Sequence, residues 1–269
     1  LVDPRFTITN VAGGMGDWLS LTPILRHMRD LGRNPLVIAR DSPHTREFGA
    51  LYRGLAEIKW EPASAPTPPT PQSDSDACFS RRILEAHDVQ HVSAIPHVEV
   101  SREEREWATA FLTWFGPGKL TAFCPTVGGA RDTLPDDHIA NYRRMPRELV
   151  AEIVKGMLDS GRKPVWFGTN DSQQHIYRNR FEIEGVISIP DLPVRLLAAC
   201  YSVIGEYVGT DTWDHHLMLA VGGRCETWVP TSRWFYDHKK FLYDSKAWLT
   251  EEPRETYRVF VRPEPKSFS

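Results

Sequence analysis

Short apolar runs rich in β-branched and aromatic residues alternate with amphipathic helical stretches along nearly the whole chain, and that alternation leaves few architectures open. Residues 6–11 alternate in strand fashion, residues 12–17 break the pattern with glycines, and a helical face follows with Leu21, Ile24, Leu25, Met28 and Leu31 on one side before Gly32. Residues 35–39 and 57–60 read as further strands around a helical stretch at 44–52. Ser101 opens a capping-box helix carrying Trp107, Ala108, Phe111, Leu112 and Phe115, which stops at Gly116-Pro117. The plan then repeats. Strands are expected at 120–124, 163–167, 186–189, 203–207 and 226–229, with helices from Pro146 and over 172–180, 193–201 and 212–221. Parallel neighbours need crossover connections, so the alternation predicts an α/β chain with parallel sheets covered on both faces. Two sheets of unequal size fit 269 residues better than one sheet of about ten strands.

Residues 61–76 interrupt the alternation with Pro62, Pro66, Pro68, Pro69 and Pro71 among small polar residues, which predicts an extended surface loop. A net charge of −3 supplies no global field for nucleic acid, and no run approaches the roughly 18 apolar residues of a membrane span. Cys78, Cys124, Cys200 and Cys225 have no metal-ligand spacing, and the last three sit in apolar stretches as reduced thiols would, which points to the cytoplasm. The sequence opens at Leu1 with neither Met nor a basic-then-apolar leader, and so reads as trimmed.

In parallel sheets ligands bind beyond the carboxyl ends of strands, and three post-strand loops carry chemistry there. The first is Gly13-Gly14-Met15-Gly16-Asp17, where glycines let backbone approach an anion and free amides at a helix start favour it. Asp17 by itself reads as a helix-capping carboxylate. The second is Thr126-Val127-Gly128-Gly129-Ala130 with Arg131, followed by Arg143 and Arg144 ahead of the Pro146 helix. Guanidiniums beside a glycine loop suit a diphosphate, and a solvated basic loop is the other reading. The third is Gly209-Thr210-Asp211-Thr212-Trp213-Asp214-His215-His216. A metal is disfavoured there, because adjacent histidines point to different helix faces and no HxxxH spacing exists; anion or ribose binding is preferred.

Together these loops resemble a known family. Residues 13–23 are similar to the G-G-x-G-D-x-L-x-x-T-P signature of the heptosyltransferase-like glycosyltransferases of family 9. Residues 123–130 with Arg143-Arg144-Met145-Pro146 resemble that family's h-x-P-G-A/T segment and K-R-W-P motif, and residues 211–222 its D-T-G-x-x-H-x-A-A-x-G motif. The resemblance implies a GT-B architecture: two Rossmann-like domains with parallel sheets facing across a cleft, the N-terminal one abbreviated. Residues 1–117 would form the acceptor side, 118–232 the nucleotide-sugar side, and 233–269 a tail crossing back to the first domain. It implies inverting, metal-independent transfer of a sugar from a nucleotide-diphosphate-sugar to an acceptor hydroxyl, with no cofactor. Asp17 would be the general base and Arg143 the group that stabilises the leaving diphosphate. Thr126, Gly128, Gly129, Arg144, Gly168, Asp211, Thr212 and His216 would hold the donor, and Gly13, Gly14 and Gly16 would form the acceptor-side phosphate loop.

Three departures bear on the acceptor and the activity. Trp213 stands where the motif has glycine, Asp214 and His215 are extra polar groups, and the first half is short. The acceptor therefore stays open among a glycan, a lipid-linked glycan and a modified nucleic-acid base. The last would use Arg143, Arg144 and Arg147 with Arg233, Lys239, Lys240, Trp234, Phe235 and Tyr236 as a phosphate-and-stacking surface, although amphipathic packing of a C-terminal helix is the preferred reading of the second cluster. A non-catalytic nucleotide-sugar or glycan-binding protein, with Trp213 as the reason, is the further alternative.

Overall fold

A computed structural model describes residues 5–9, 15–62, 79–126, 144–168, 183–189, 192–230 and 255–260. Within them the chain builds two parallel sheets. The first takes β1 (Arg5–Thr9), β2 (Asn34–Arg40) and β3 (Glu57–Glu61) in that order, joined by α1 (Met15–Asp30) and by α2 (Pro43–Gly49) with a 3-10 turn at Ala50–Tyr52. Helices α3 (Phe79–Ala86) and α4 (Arg102–Thr113) lead to the second unit. There β4 (Lys119–Cys124), α5 (Arg147–Asp159), β5 (Arg162–Phe167), β6 (Ile187–Ile189), α6 (Val194–Ile204), β7 (Glu206–Thr210), α7 (Trp213–Ala220), β8 (Arg224–Pro230) and β9 (Glu255–Phe260) give the order β6-β5-β4-β7-β8-β9.

The elements follow from local signals. Ser101 caps α4 in a reciprocal box with Glu104, as its spacing predicts. Helix α6 runs through Val203 and Ile204, which the sequence places in a strand. It stops at Gly205, whose left-handed φ of 69° a helix end favours. The expected helix over 172–180 and most of the proline-rich loop lie outside the described residues. Of the tail only residues 255–260 are described. They form β9, which pairs in parallel with β8 at the edge of the second sheet.

One apolar core runs without a break from Phe6 and Ile8 on β1, through Trp18, Leu21, Ile24 and Leu25 on α1, to Leu217, Leu219 and Cys225 on α7 and β8. Polar stitches reinforce that continuity. The Thr22 hydroxyl accepts from His97 N–H at 2.7 Å, and the neighbouring Val98 N–H donates to the Ala220 carbonyl at 2.8 Å, so one extended strand of chain ties α1 to the end of α7. Arg195 on α6 donates to the Glu104 carboxylate on α4 through Nε at 3.0 Å and also to the Glu99 carbonyl at 2.7 Å, with both side chains largely buried.

Burial opposes ionisation of Glu104, but hydrogen bonds from Arg195 and the Ser101 amide outweigh it and hold the carboxyl below its usual range. Glu206 is likewise held low, by Lys119 and Arg162 against partial burial. A depressed folded-state value means that the stabilisation is complete above the unfolded value of about 4.3 and is lost as pH falls through the folded one. The melting temperature is therefore expected to drop on acidification below about pH 4.5. Glu104→Ala strands the Arg195 charge and is expected to cost about 3 kcal/mol at pH 7, on the order of 5–10 °C in calorimetry, with a weakened acid dependence. An unchanged Tm at both pH values would refute the assignment.

Candidate functional site

Strand order places the site. The second sheet grows outward from β4 in one direction through β5 and β6, and from β7 in the other through β8 and β9, so the chain reverses direction between β4 and β7. Loops diverge at such a switch point and leave a crevice beyond the carboxyl ends. Thr126 follows β4 there, and Asp211 and Thr212 follow β7. Met145 N–H donates to the Pro125 carbonyl at 3.0 Å, which returns the chain to the end of β4 and sets Arg144 beside that loop. Thr126 Oγ1 is buried with no hydrogen-bond partner among the described residues.

Thr212 is the N-cap of α7, its hydroxyl accepting from Asp214 N–H at 3.2 Å. Asp214 points inward. Its carboxylate accepts from Tyr201 Oη at 2.5 Å and from Thr212 Oγ1 at 3.1 Å. Burial pushes its carboxyl up to about 6, against the hydrogen bonds that favour the ion. Tyr207, on β7, donates to the Thr210 carbonyl at 2.6 Å, so two buried tyrosines brace the loop from below.

The next two residues do not diverge as adjacent helix positions are expected to. Helical side chains tilt toward the N-terminus, so His215 and His216, in the first turn of α7, both reach back to Asp211 just outside it. Asp211 Oδ1 lies 3.5 Å from His215 Nδ1 and 3.6 Å from His216 Nε2. His215 is fully buried, and its Nε2 faces Glu255 Oε1 on β9 at 3.3 Å. Burial works against its charge, but Asp211 and Glu255 prevail and raise it to about 9. Asp211, His215 and His216 could each offer one atom to a metal, all within 4.8 Å of one another.

The first unit meets this loop at Gly16. A Cβ there would sit 3.1 Å from His216 Cδ2, so the first turns of α1 and α7 are in direct contact. Asp17 is next along, half-exposed in the first turn of α1, and its charge reaches the buried Tyr52 hydroxyl. It lies inside the helix and not at the cap. A groove of about 680 Å³ lined by Arg26, His27, His97, Glu99, Arg105 and Gly222 lies at the opposite ends of α1 and α7 and contains none of these residues.

No family model matches this sequence, and no curated protein does. Solved structures match it in fold. A family 9 glycosyl transferase from Veillonella parvula has a TM-score of 0.65 at 14% identity, covering 96% of this chain and 86% of that one. Escherichia coli ADP-heptose lps heptosyltransferase II reaches 0.51 at 14% identity over 94% and 89% of the two chains. The iron-containing dodecameric glycosyltransferase TibC of enterotoxigenic E. coli reaches 0.51 at 11% identity over 84% and 58%. The chain has the family 9 glycosyltransferase fold.

On that GT-B-like fold the described residues bring together Gly16, Asp17, Thr126, Arg144, Asp211, Thr212 and His216 around the ends of β4, β7, α1 and α7. Gly168 lies one strand over, ending β5 with its N–H on the Ile189 carbonyl. Gly13, Gly14, Gly128, Gly129 and Arg143 fall outside the described residues, as do Arg233 to Lys240. Trp213 is half-buried and packs against the core. Sequence reasoning missed Tyr201, Tyr207 and Glu255. The two tyrosines look like ordinary core residues, and Glu255 reaches the site only through the pairing of β9 with β8.

Two substitutions probe this geometry on the family 9 fold. Asp214→Ala leaves the buried Tyr201 hydroxyl without its acceptor and is expected to cost about 1–3 kcal/mol in urea denaturation, whereas Tyr201→Phe, which removes the donor, should cost about 1 kcal/mol. A Tyr201→Phe protein as stable as wild type would show that this hydrogen bond contributes nothing. Gly16→Val drives two methyl groups toward the His216 ring and is expected to lower stability by about 1–3 kcal/mol and to shift the His216 ring resonances in NMR spectra. Undisturbed resonances would remove the contact between α1 and α7.

Proposed function

We propose that this protein transfers a sugar from a nucleotide-diphosphate-sugar to an acceptor hydroxyl with inversion at the anomeric carbon. The observation that carries the reading is the contact at Gly16, which sets the Asp17 turn of one unit against the Asp211–His216 turn of the other. Asp17 would take the proton of the acceptor hydroxyl as that oxygen bonds to the anomeric carbon from the face opposite the leaving group. The bond from that carbon to the diphosphate oxygen breaks, and the electron pair leaves with the nucleotide.

Charge then develops on the diphosphate, where the Thr126 hydroxyl, Arg143 and Arg144, the positive end of the α7 dipole, Thr212 and His216 would receive it. Nucleotide sugars carrying ADP head the search, because the E. coli heptosyltransferase II of similar fold is named for ADP-heptose.

The test is a thermal-shift panel of ADP-, UDP-, GDP-, CDP- and TDP-sugars followed by a transfer assay with the donor that binds. A ligand specific for the native state raises Tm by mass action. Asp17→Asn is expected to reduce transfer at least ~100-fold while the nucleotide-induced shift stays the same, the size of effect a general base supplies. Transfer at the wild-type rate in that variant would remove Asp17 as base, and binding without turnover for every donor would mean a binding protein on this fold.

A further inference from the structure

Asp211 Oδ1 stands 3.5 Å from His215 Nδ1 and 3.6 Å from His216 Nε2, and the three atoms lie within 4.8 Å of one another. These separations are long for N–H···O hydrogen bonds, which centre near 2.9–3.0 Å. The two that involve Asp211 are close to the edge of a tetrahedron, about 3.3–3.4 Å when the ligand bonds are about 2.0–2.1 Å, and a modest turn of the partly exposed His216 ring closes the remaining side. We propose that Asp211, His215 and His216 bind a divalent transition metal, Zn²⁺ in the first instance, with Glu255 as the outer carboxylate that orients His215.

Each residue has a distinct part. His215 turns Nδ1 toward Asp211 and Nε2 toward Glu255 Oε1, 3.3 Å away, which is the carboxylate–histidine–metal arrangement that fixes a ligand ring and raises its basicity. His215 is fully buried and Asp211 nearly so, whereas the His216 side chain is 22% exposed. One side of the triad is therefore accessible, and a fourth ligand, water or an oxygen of a bound anion, can enter there. Two imidazoles with one carboxylate select a borderline metal over Mg²⁺ or Ca²⁺, which prefer all-oxygen sites. The amide dipoles at the start of α7 oppose a cation, and the carboxylates of Asp211 and Glu255 offset them.

His215 is one of the residues by which this chain exceeds the family 9 motif, and it supplies the ligand that an aspartate and a single histidine lack. The inference departs from the metal-independent chemistry that the resemblance implies, and it stands whether or not the transferase reading does.

The experiment uses the full chain stripped with a chelator, titrated with Zn²⁺ alone in a calorimeter and with Co²⁺ alone in a visible spectrometer. One equivalent is expected to bind with a dissociation constant in the micromolar range or below, with the intense d–d bands of four-coordinate Co²⁺ and no thiolate charge-transfer band. His216→Gln, at the partly exposed position, and Asp211→Asn should each weaken binding at least ~100-fold, and Glu255→Gln ~10-fold or more. Circular dichroism of the metal-free variants checks the fold; should Asp211→Asn fail to fold, His216→Gln decides alone. No saturable binding of either metal up to millimolar concentration, wild-type affinity in the folded His216→Gln protein, or a thiolate band overturns the proposal. None of these readouts requires a nucleotide sugar, so a failed donor panel and a failed metal site are separate results.

Discussion

A hydrogen atom in place of a side chain at Gly16 lets the first turn of α1 lie against the His216 ring, and the relation between the two sheets is built around that contact. The helices are held there by more than the glycine. Trp18 on α1 is fully buried and stacks on Tyr52 with centroids 5.1 Å apart, while Tyr52 returns a hydrogen bond to the Trp18 carbonyl at 2.8 Å. Six residues after Gly16, Thr22 receives the His97 amide, whose neighbour Val98 closes on the last turn of α7. Both ends of α7 are thus referenced to α1. A shift of either helix would have to break buried hydrogen bonds as well as apolar packing, and each orphaned polar group costs about 1–3 kcal/mol.

Buried polarity in the loop between β7 and α7 has the same logic. Asp211, Thr212, Asp214 and His215 are all buried, a concentration of charge that a packed interior tolerates only where partners are built in. Asp214 takes its partners from below, from Tyr201 and Thr212, and so fixes the start of the helix. Asp211 and His215 take theirs from the sides, one from His216 and the other from Glu255 on the last described strand. The two sets use different faces of one turn. Rigid support from the core therefore coexists with a polar face left for chemistry.

The alternation of strands and helices, the capping box at Ser101 and the turn from β7 into α7 are legible because each depends on neighbours within a few residues. What escaped depends on distance or direction. Val203 and Ile204 carry β-branched side chains and read as strand, yet Gly205 extends α6 through them by supplying the left-handed turn that ends it. The convergence of His215 and His216 follows from the backward tilt of helical side chains onto a residue outside the helix, which counting helix faces does not capture. Glu255 could not be placed at all, since nothing near it in sequence announces that its strand will pair with β8.

Gly209 shows how far a single local requirement can reach. It pairs with Cys124 across the switch point, and a Cβ there would collide with the Cys124 carbonyl and the Tyr207 hydroxyl. Neither obstacle can yield: one is backbone of the central strand, and the other donates to the Thr210 carbonyl and stands 3.5 Å from Thr212 Oγ1. A larger residue at 209 would have to part β4 from β7 or expel the tyrosine that steadies the N-cap. Glycine at that position therefore does two things. It allows the strands to approach closely at the crevice, and it makes room for the hydroxyl that holds Thr212, and with it Asp211 and the two histidines, in register with the Thr126 loop across the same gap.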